Sequence, residues 1–302
     1  MGCKITLTFL GTGDAKPTVK RNHTGILISY ANENLLFDCG ENIQRQFRLA
    51  HLNPCKLTRI FITHWHGDHT FGLLGILSTL EKSEYSKALQ IYGPKNTKRN
   101  IELFEKIYGQ FKINYTVHEI SDGLIINERD FSIHALPMSH GIPTIAYSLM
   151  IKPKLRLDKK KLAKLKLPNS PLLAKLQQGK NITHPKTKKK IRAKDLTYTE
   201  KGKKITIIMD TKMNPNTIKL ARDSDLLICE STFASDNARK AREYKHLTSQ
   251  DAATIAKKAK VKKLILTHIS QRYQKDNSII LEEAKKIFKT VSVAKDLDKL
   301  LI

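Results

Sequence analysis

The sequence predicts an α/β protein, and three features of the chain support this fold class. Short apolar runs typical of strands alternate with amphipathic segments typical of helices over most of the 302 residues. Turn signals such as Gly93-Pro94 end these runs. A hydrophobic content of 40% allows a large core. Two mixed sheets packed face to face with helices outside account for this pattern, and a doubly wound sheet accounts for it equally well.

The first half of the chain contains most of the predicted strands. We expect strands at residues 4–10, 35–37, 59–63 and 88–92, and a series of strands at 112–136. Helices are predicted at residues 44–51 and 96–108, and an apolar helix begins at Phe71.

The second half repeats the alternation around a basic insert. Core strands are predicted at 147–152 and 205–209, on either side of the insert, and further strands at 225–229 and 263–267. A helix is predicted at about 249–260, between the last two strands. We therefore expect a single domain over residues 1–302 that carries one insert.

Composition favours a protein of the cytoplasm that does not span a membrane. No apolar stretch approaches the length of about 18 residues that a membrane span needs. The four cysteines, Cys3, Cys39, Cys55 and Cys229, form no CxxC pair and have no disulfide-scaffold spacing, as is typical of a reducing compartment.

The charge of the chain is strongly positive and unevenly distributed. The formal net charge is +26, and residues 152–194 contribute +15 of it, with 16 Lys or Arg against Asp158 alone. An acidic polymer such as a nucleic acid is the expected partner. A general lysine bias of the proteome would also produce solvated, lysine-rich helix faces, so net charge alone does not decide between the two.

The motif His64-Trp65-His66-Gly67-Asp68-His69 is the most informative stretch of the sequence. It places three imidazoles and one carboxylate within six residues, on the turn between a predicted buried strand and a predicted helix. Neutral His and ionised Asp are suitable ligands for Zn²⁺. The motif therefore predicts a metal site, in preference to a histidine-rich surface turn.

The HxHxDH motif resembles that of the metallo-β-lactamase superfamily, and further segments narrow the resemblance to ribonuclease Z in its short, single-domain form. These segments are Gly11-Thr12-Gly13, Pro17 to Asn22, Asp38 to Glu41, Ser139 to Gly141, Asp210-Thr211, Glu230 to Phe233, His246 to Thr248 and His268 to Tyr273. The resemblance extends from about residue 5 to residue 275. The sequence departs from the family at Val19, where a basic residue is usual, and at Met209, where a glycine is usual.

The resemblance implies the αββα fold, a four-layer sandwich of two mixed sheets with helices outside. It also implies a dinuclear centre of two zinc ions per subunit, with manganese as an alternative metal. The first zinc would be held by His64, His66 and His140, the second by Asp68, His69 and His268, and Asp210 would bridge both. The three remote ligands each follow a predicted strand, so they can converge with the motif on one rim of the sandwich.

The implied activity is endonucleolytic removal of the 3′ trailer from precursor tRNA, which leaves a 3′-hydroxyl on the tRNA and a 5′-phosphate on the trailer. Asp68 would orient the attacking water or take its proton, and His246 would protonate the leaving oxygen. Residues 152–194 would form a flexible arm that binds the body of tRNA. The expected substrate-binding residues are Arg21, Asn22, Arg272, Lys188, Lys189 and Lys190, and the expected assembly is a homodimer.

Three alternatives remain open from the residues themselves. The chain could be a small-molecule phosphodiesterase or arylsulfatase-like hydrolase of the same superfamily, which would have little use for so basic an insert. It could also be a metal-dependent RNA-binding protein without catalysis. His246, taken without the resemblance, is better explained as a surface histidine before a helix whose N-cap is Thr248.

Overall fold

The protein consists of two seven-stranded sheets packed face to face with helices on both outer surfaces. The computed structural model describes residues 4–165, 167 and 170–302. The predicted four-layer αββα architecture is therefore confirmed, and the doubly wound sheet is excluded because the strands form two separate sheets.

The first sheet is built mainly from the N-terminal part of the chain. Its strands are β1 (Ile5–Gly11), β2 (Gly25–Tyr30), β3 (Glu33–Phe37), β4 (Arg59–Phe61), β5 (Leu89–Gly93), β6 (Tyr115–Glu119) and β18 (Lys299–Leu301). Their order across the sheet is β18-β1-β2-β3-β4-β5-β6, so the last strand of the chain pairs with the first. The associated helices are α1 (Ile43–Leu49), α2 (Gly67–Thr70), α3 (Gly72–Lys82) and α4 (Thr97–Tyr108).

The second sheet is built from the C-terminal part of the chain. Its strands are β7 (Gly123–Asn127), β8 (Phe131–Pro137), β9 (Ile145–Ile151), β14 (Lys203–Ile208), β15 (Leu226–Glu230), β16 (Leu264–Thr267) and β17 (Val291–Val293), in the order β17-β16-β15-β14-β9-β8-β7. The associated helices are α8 (Pro215–Ala221), α9 (Ala238–Tyr244), α10 (Ser249–Lys258) and α11 (Ser278–Ile287). Short 3₁₀ helices occupy Pro54–Lys56, Ser235–Asn237 and Gln271–Tyr273.

The basic insert is folded and has a small apolar core of its own. It contains β10 (Lys154–Leu157), α5 (Lys159–Lys164), α6 (Pro171–Gln177), β11 (Ile182–Thr183), β12 (Lys190–Ile191), α7 (Ala193–Leu196) and β13 (Thr197–Glu200). Leu176, Ile182, Ala193 and Leu196 form its buried cluster. Strand β13, which lies beyond the predicted end of the insert at residue 194, pairs antiparallel with β10. The insert spans 152–202, since Ile151 pairs directly with Lys203.

The main core lies between the two sheets and fixes one sheet against the other near the HxHxDH motif. The rings of Phe37 and Phe61 stack at 4.8 Å, and Tyr147 of β9 contacts Phe61 edge-on at 5.3 Å. The hydroxyl of Tyr147 donates a hydrogen bond to the carbonyl oxygen of Ile62, at 2.6 Å, and Ile145 N–H donates to the Thr63 carbonyl oxygen, at 2.9 Å. The segment before His64 is therefore held by the opposite sheet.

Each sheet also packs its outer face against helices, which explains the nearly continuous apolar strands. The first sheet forms a buried cluster with α1, α3 and α4, and the second forms one with α8, α10 and α11. None of the helices in the described part of the chain is long and apolar enough to cross a membrane. Cys39, Cys55 and Cys229 are free thiols, while Cys3 lies outside the described residues.

Candidate metal centre and active site

The HxHxDH motif lies between β4 and α3, as the sequence predicts. His64 follows β4, His66 is the N-cap of the short helix α2, and Asp68 and His69 lie within that helix. His64 and His69 are fully buried, and Asp68 is 8% exposed. Because the strand, the turn and the helix are consecutive, four side chains of one segment point towards the same region of the rim.

A second turn, Asp38-Cys39-Gly40 after β3, packs against the backbone of the HxHxDH segment and the start of α3. Cys39 N–H donates to the carbonyl oxygen of His69, at 2.8 Å, and Gly72 N–H donates to the carbonyl oxygen of Cys39, at 2.9 Å. A Cβ on Gly40 would lie 2.4 Å from the carbonyl oxygen of Asp68. Only glycine allows so close an approach between the two backbones, so this position is tied to the placement of Asp68.

The three remote candidates come from loops after strands of the second sheet. His140 follows β8, Asp210 follows β14 and His268 follows β16. Asp210 and His268 are nearly fully buried. His268 has a positive φ of 57°, which is costly for a residue with a side chain and occurs preferentially at functional sites. The structure thus brings together all seven residues that the sequence singled out as metal ligands.

Four of these side chains form a first group, made of His64, His66, His140 and Asp210. His66 Nδ1 lies 3.0 Å from His64 Nε2 and 3.2 Å from His140 Nε2. Asp210 Oδ2 lies 3.5 Å from His64 Nε2 and 3.8 Å from His140 Nε2. Ligands about 2.0–2.1 Å from a tetrahedral zinc ion are separated from one another by about 3.3 Å. The spacing of the first group fits one such ion.

The second group consists of Asp68, His69, His268 and again Asp210. His69 Nε2 lies 3.2 Å from His268 Nε2 and 3.3 Å from Asp68 Oδ2. Asp210 Oδ1 lies 3.5 Å from His69 Nε2 and 3.3 Å from His268 Nε2. Each oxygen of Asp210 therefore faces a different group, which is the geometry of a carboxylate that bridges two metal ions.

Hydrogen bonds to the outer ring nitrogens leave the inner nitrogens free to bind metal. His69 Nδ1 donates to Asp38 Oδ2, at 2.7 Å, and His140 Nδ1 donates to the carbonyl oxygen of Lys245, at 3.2 Å. Because a carboxylate and a carbonyl only accept, these nitrogens carry the proton and both Nε2 atoms carry a lone pair. Threonine hydroxyls are the corresponding partners of His64 and His268. Nδ1 of His64 lies 3.0 Å from Thr63 Oγ1, and Nδ1 of His268 lies 2.9 Å from Thr232 Oγ1.

Asp38 links the two ligand groups through hydrogen bonds to the outer ring nitrogens or to their partners. Its carboxylate accepts hydrogen bonds from the backbone N–H and the hydroxyl of Thr63, at 2.7 and 2.8 Å, besides that of His69. Thr63 in turn contacts His64, so one buried carboxylate orients a candidate ligand in each group. Asp38 and Thr232 fall within motifs of the sequence, but the sequence alone assigned them no role. The signal in the sequence that could have identified them is their position shortly after predicted strands, where the candidate ligands also lie.

The electrostatics of the centre favour a cation between the ligands. Burial raises the pKa of Asp68 and Asp210, but the surrounding histidines lower it by more than burial raises it. The pKa of both carboxyl groups therefore lies below the ordinary value. Burial lowers the pKa of His69, yet the carboxylates of Asp210 and Asp68 outweigh it and hold the pKa well above its usual range. A bound divalent cation would supply this positive charge and leave the imidazoles neutral.

Asp210 gives the most direct test of whether a metal fits. Its Oδ1 is buried and accepts no hydrogen bond from any residue that the structure describes. Such an atom is costly unless a further partner satisfies it. The ligand types, their spacing and this oxygen all fit a metal ion in the second group.

His246 lies next to the centre on the turn before α10. Its Nδ1 is 3.1 and 3.2 Å from the two oxygens of Glu230, and its ring stacks on His268 at 5.6 Å. Burial lowers the pKa of His246, but Glu230 and Asp210 raise it, to about 9. Thr248 does form the N-cap of α10, with a capping box to Asp251, so the structural and catalytic interpretations of this turn are compatible.

Thr232 connects His246 to the metal ligands. Its hydroxyl donates to Glu230 Oε2, at 2.6 Å, and lies 2.9 Å from His268 Nδ1. Glu230 is fully buried and also accepts from Thr211 N–H, at 2.8 Å. Glu230, His246 and His268 also lie close enough to one another to form a third ligand group. We assign no ion to it, because Nδ1 of His246 already contacts Glu230 and Nδ1 of His268 already contacts Thr232.

Five of the seven candidate ligands line an open cavity of about 410 Å³: His66, Asp68, His140, Asp210 and His268. Arg272 and Lys16 also line it, together with Phe233, Tyr244 and His246. Arg272 is exposed, in agreement with a role towards an anionic substrate. The cavity is large enough for a small ligand or for part of a polymer that passes over the rim.

The other predicted substrate-binding residues differ in position. Arg21 is only 6% exposed, and its guanidinium donates to Thr12 Oγ1 and to the Ala294 carbonyl oxygen. A substrate contact of this side chain stays a prediction. Asn22 is partly buried, and its amide donates to the Glu41 carbonyl oxygen, at 2.8 Å. Lys188, Lys189 and Lys190 are exposed in the insert and remain available to a partner.

These observations define a class of protein: a hydrolase of the metallo-β-lactamase fold whose two ligand groups share one aspartate. The human short-form tRNase Z (ELAC1) has a similar structure, with a TM-score of 0.71 and 29% identity over 98% of both chains. The metallo-β-lactamase fold protein YhfI from Bacillus subtilis also gives a TM-score of 0.71, at 19% identity over 99% of this chain and 100% of that one. A family model described as Anti-Pycsar protein Apyc1 matches residues 5–163.

The chain belongs to the ribonuclease Z family. It is 37% identical to Ribonuclease Z of Methanosarcina acetivorans over 302 residues, which cover 99% of this chain and 98% of the relative. It is 40% identical to Ribonuclease Z of Listeria monocytogenes over 301 residues, which cover 97% and 98%. The expected family is therefore confirmed, and the protein is a metal-dependent endoribonuclease.

Proposed function

We propose that the protein removes the 3′ trailer from precursor tRNA and leaves a 3′-hydroxyl on the tRNA and a 5′-phosphate on the trailer. The observation that carries this proposal is the pair of ligand groups that share Asp210 at the rim of an open cavity. Two curated relatives that align over nearly their whole length carry the name Ribonuclease Z, and a structurally similar human protein is a tRNase Z.

The proposed metal content is two zinc ions per subunit, with manganese as the alternative metal. His64, His66 and His140 would hold one ion, Asp68, His69 and His268 the other, and Asp210 both. When bound, two such ions lower the pKa of water and neutralise charge on a phosphoryl group. The Nδ1 partners of the histidines support this assignment, because they fix the tautomers that ligation requires.

Asp68 and His246 are the proposed catalytic residues. The Asp68 carboxylate lines the cavity, where it can orient the attacking water or take its proton. His246 is held through Nδ1 by Glu230, which leaves Nε2 to donate a proton to the departing 3′ oxygen. Glu230 would act as a positioning residue for His246 and would not contact the substrate itself. Arg272 would contact a phosphate beside the scissile bond.

The insert is the proposed binding site for the body of tRNA. Residues 152–202 carry a net charge of +14, and Lys188 to Lys190 are exposed in it. Phosphate contacts from such side chains release counterions and supply affinity without sequence specificity. The flexibility expected of this arm stays a prediction.

We further propose a homodimer that acts in the cytoplasm, where precursor tRNA is processed. Light scattering after size-exclusion chromatography tests the assembly, and a mass of one chain would contradict it. Fractionation of cells that express the protein at native level tests the location.

A cleavage assay on one precursor tRNA tests the function and separates it from the two alternatives. We expect one cut at the start of the trailer, dependent on added metal and abolished by a chelator, with the two end groups stated above. A protein that hydrolyses bis(p-nitrophenyl) phosphate but leaves precursor tRNA intact would be a small-molecule hydrolase. Tight binding of precursor tRNA without any cut would identify a non-catalytic RNA-binding protein.

A further inference from the structure

The turn at the end of α9 is fixed to the candidate metal centre. His246 N–H donates to the carbonyl oxygen of Ala241, at 2.8 Å, and Lys245 adopts a left-handed φ of 57° between His246 and the helix end. The Lys245 carbonyl oxygen accepts from His140 Nδ1, at 3.2 Å, and Lys245 Nζ donates to the His140 carbonyl oxygen, at 3.3 Å. The residue before this turn, Tyr244, therefore has a defined position relative to His246 and His140.

The ring of Tyr244 is exposed at the mouth of the catalytic cavity. It is 57% exposed and lines the cavity together with the candidate metal ligands. Within the described ranges it makes no hydrogen bond, ion pair or ring contact. The other aromatic side chains that are more than half exposed, Phe71, Tyr108 and Tyr198, do not line this cavity.

The surroundings of Tyr244 suit a single-stranded nucleotide. Lys16 and Arg272 line the same cavity and can neutralise phosphates. Phe233 is 6% exposed and packs against His246 at 6.1 Å, so its faces are already occupied, whereas those of Tyr244 are open. Proteins bind unpaired nucleotides by combining cationic side chains for the backbone with open aromatic rings for the bases.

We propose that Tyr244 stacks on the base of the nucleotide that carries the leaving 3′ oxygen, the last nucleotide retained by the tRNA. This inference rests on the proposed function, in which His246 protonates that oxygen. Because Tyr244 is two residues before His246 in a hydrogen-bonded turn and both side chains line the same cavity, we expect the base of that same nucleotide to lie beside the ring. Every base has an aromatic face, so the contact positions the nucleotide without selecting its identity.

Four variants and three substrates test the proposal. Three variants change the ring itself: Tyr244→Ala, Tyr244→Leu, which keeps apolar bulk without an aromatic face, and Tyr244→Phe, which keeps the face. Tyr108→Ala is the matched control, because Tyr108 is also an exposed tyrosine at the last position of a helix. The substrates are a precursor tRNA, the same RNA with an abasic last tRNA nucleotide, and the same RNA with an abasic first trailer nucleotide.

We expect Tyr244→Ala and Tyr244→Leu to lower kcat/KM on the intact precursor by roughly 5- to 100-fold, the usual loss for one stacked base. Tyr244→Phe and Tyr108→Ala should match the wild-type protein. The abasic tRNA nucleotide should slow the wild type by a similar factor and should not slow Tyr244→Ala any further. The abasic trailer nucleotide should affect all proteins equally.

Three results would overturn the inference. The first is equal activity of Tyr244→Ala and the wild type on the intact precursor. The second is a loss in Tyr244→Ala that stays the same on the abasic tRNA nucleotide, since a merely structural role of the ring would produce it. The third is a dependence on the trailer base instead. A wild-type protein that does not cut precursor tRNA at all would contradict the proposed function, a separate outcome.

Discussion

Asp210 is the residue on which both ligand groups depend. Its two oxygens face different groups, and Oδ1 has no hydrogen bond from the described residues. We therefore expect Asp210→Ala to lower the metal content of both groups, whereas removal of a ligand such as His66 should lower mainly one. Elemental analysis of the purified proteins measures this.

The exposed residue Asp122 provides the control, since Asp122→Ala should keep the wild-type metal content. Asp210→Asn, which preserves the size of the side chain, shows whether a loss of metal reflects the missing charge or a misfolded loop. Full metal content in both Asp210 variants would contradict the bridging assignment.

His246 packs against the candidate ligand His268, but the nearest partner of its Nδ1 is the carboxylate of Glu230. Because its Nδ1 is held by that carboxylate and not by a metal group, His246→Ala should leave metal content and precursor affinity nearly unchanged. Single-turnover cleavage should slow by roughly 10²- to 10⁴-fold, the usual contribution of a positioned general acid. His134 is exposed on β8, and His134→Ala should cleave like the wild type. An unchanged rate in His246→Ala would remove this residue from the mechanism.

The insert is an element that can be removed without cutting the sandwich. Ile151 and Lys203 are paired residues of neighbouring antiparallel strands, so an Asn-Gly turn can replace residues 152–202. We expect the deletion to weaken precursor binding and to flatten its salt dependence. The slope of log affinity against log salt should change by about 0.9 for each duplex phosphate that the insert no longer neutralises. Metal content should persist, as should any hydrolysis of bis(p-nitrophenyl) phosphate.

A charge-matched pair of variants tests the same element without deletion. Replacing Lys188, Lys189 and Lys190 with Gln should reduce affinity and the salt slope, because these side chains are exposed in the insert. Replacing Lys285, Lys286 and Lys289, which are exposed near α11, removes the same charge elsewhere and should have a smaller effect. Equal effects of the two triple variants would favour a general lysine bias over a dedicated binding element.

The elements show where sequence patterns are sufficient and where they are not. The strands at 59–61 and 264–267 were predicted, because an apolar run that ends in metal-binding residue types is a local signal. The strands predicted at 112–136 are β6, β7 and β8, but β6 belongs to the first sheet and the other two to the second. Strand partners depend on contacts distant in sequence, so the local pattern could not assign them. The pairing of β18 with β1 was missed for the same reason.

The candidate metal ligands could be predicted from the sequence, but the residues that hydrogen-bond to them could not. Seven ligand positions followed from the motif and the resemblance, whereas the contacts of Asp38 and Thr232 with the histidines required coordinates. Arg21 was expected to bind phosphate because it is a basic residue in a motif loop, and only the structure shows that its guanidinium donates hydrogen bonds to Thr12 and Ala294. Sequence indicates which residue types are present, but it does not reveal whether a loop turns a side chain inwards.

At the scale of the whole molecule, the candidate metal centre lies where the two sheets meet. Four candidate ligands come from the segment after β4 of the first sheet, and His140, Asp210 and His268 come from loops of the second. Metal binding should therefore stabilise the packing of one sheet on the other. A ligand at 100 times its Kd stabilises the folded state by about 2.7 kcal/mol, so chelation should lower Tm by roughly 4 °C for each ion that is removed.

Thermal unfolding followed by circular dichroism measures this shift, with and without a chelator. Added zinc should restore the original Tm, and Asp210→Ala should respond less to the chelator than the wild type. An unchanged Tm in a chelated, demonstrably metal-free wild type would mean that the sheets pack independently of the centre.

The order of the ligands along the chain has a consequence during synthesis on the ribosome. The basic insert is made before Asp210 and His268, and β18, which completes the first sheet beside β1, is made last. At about 5–20 residues per second, the nascent chain carries most of its positive charge for several seconds before its set of ligands is complete. An unfinished chain beside ribosomal RNA is thus a polycation that still lacks part of its set of candidate ligands.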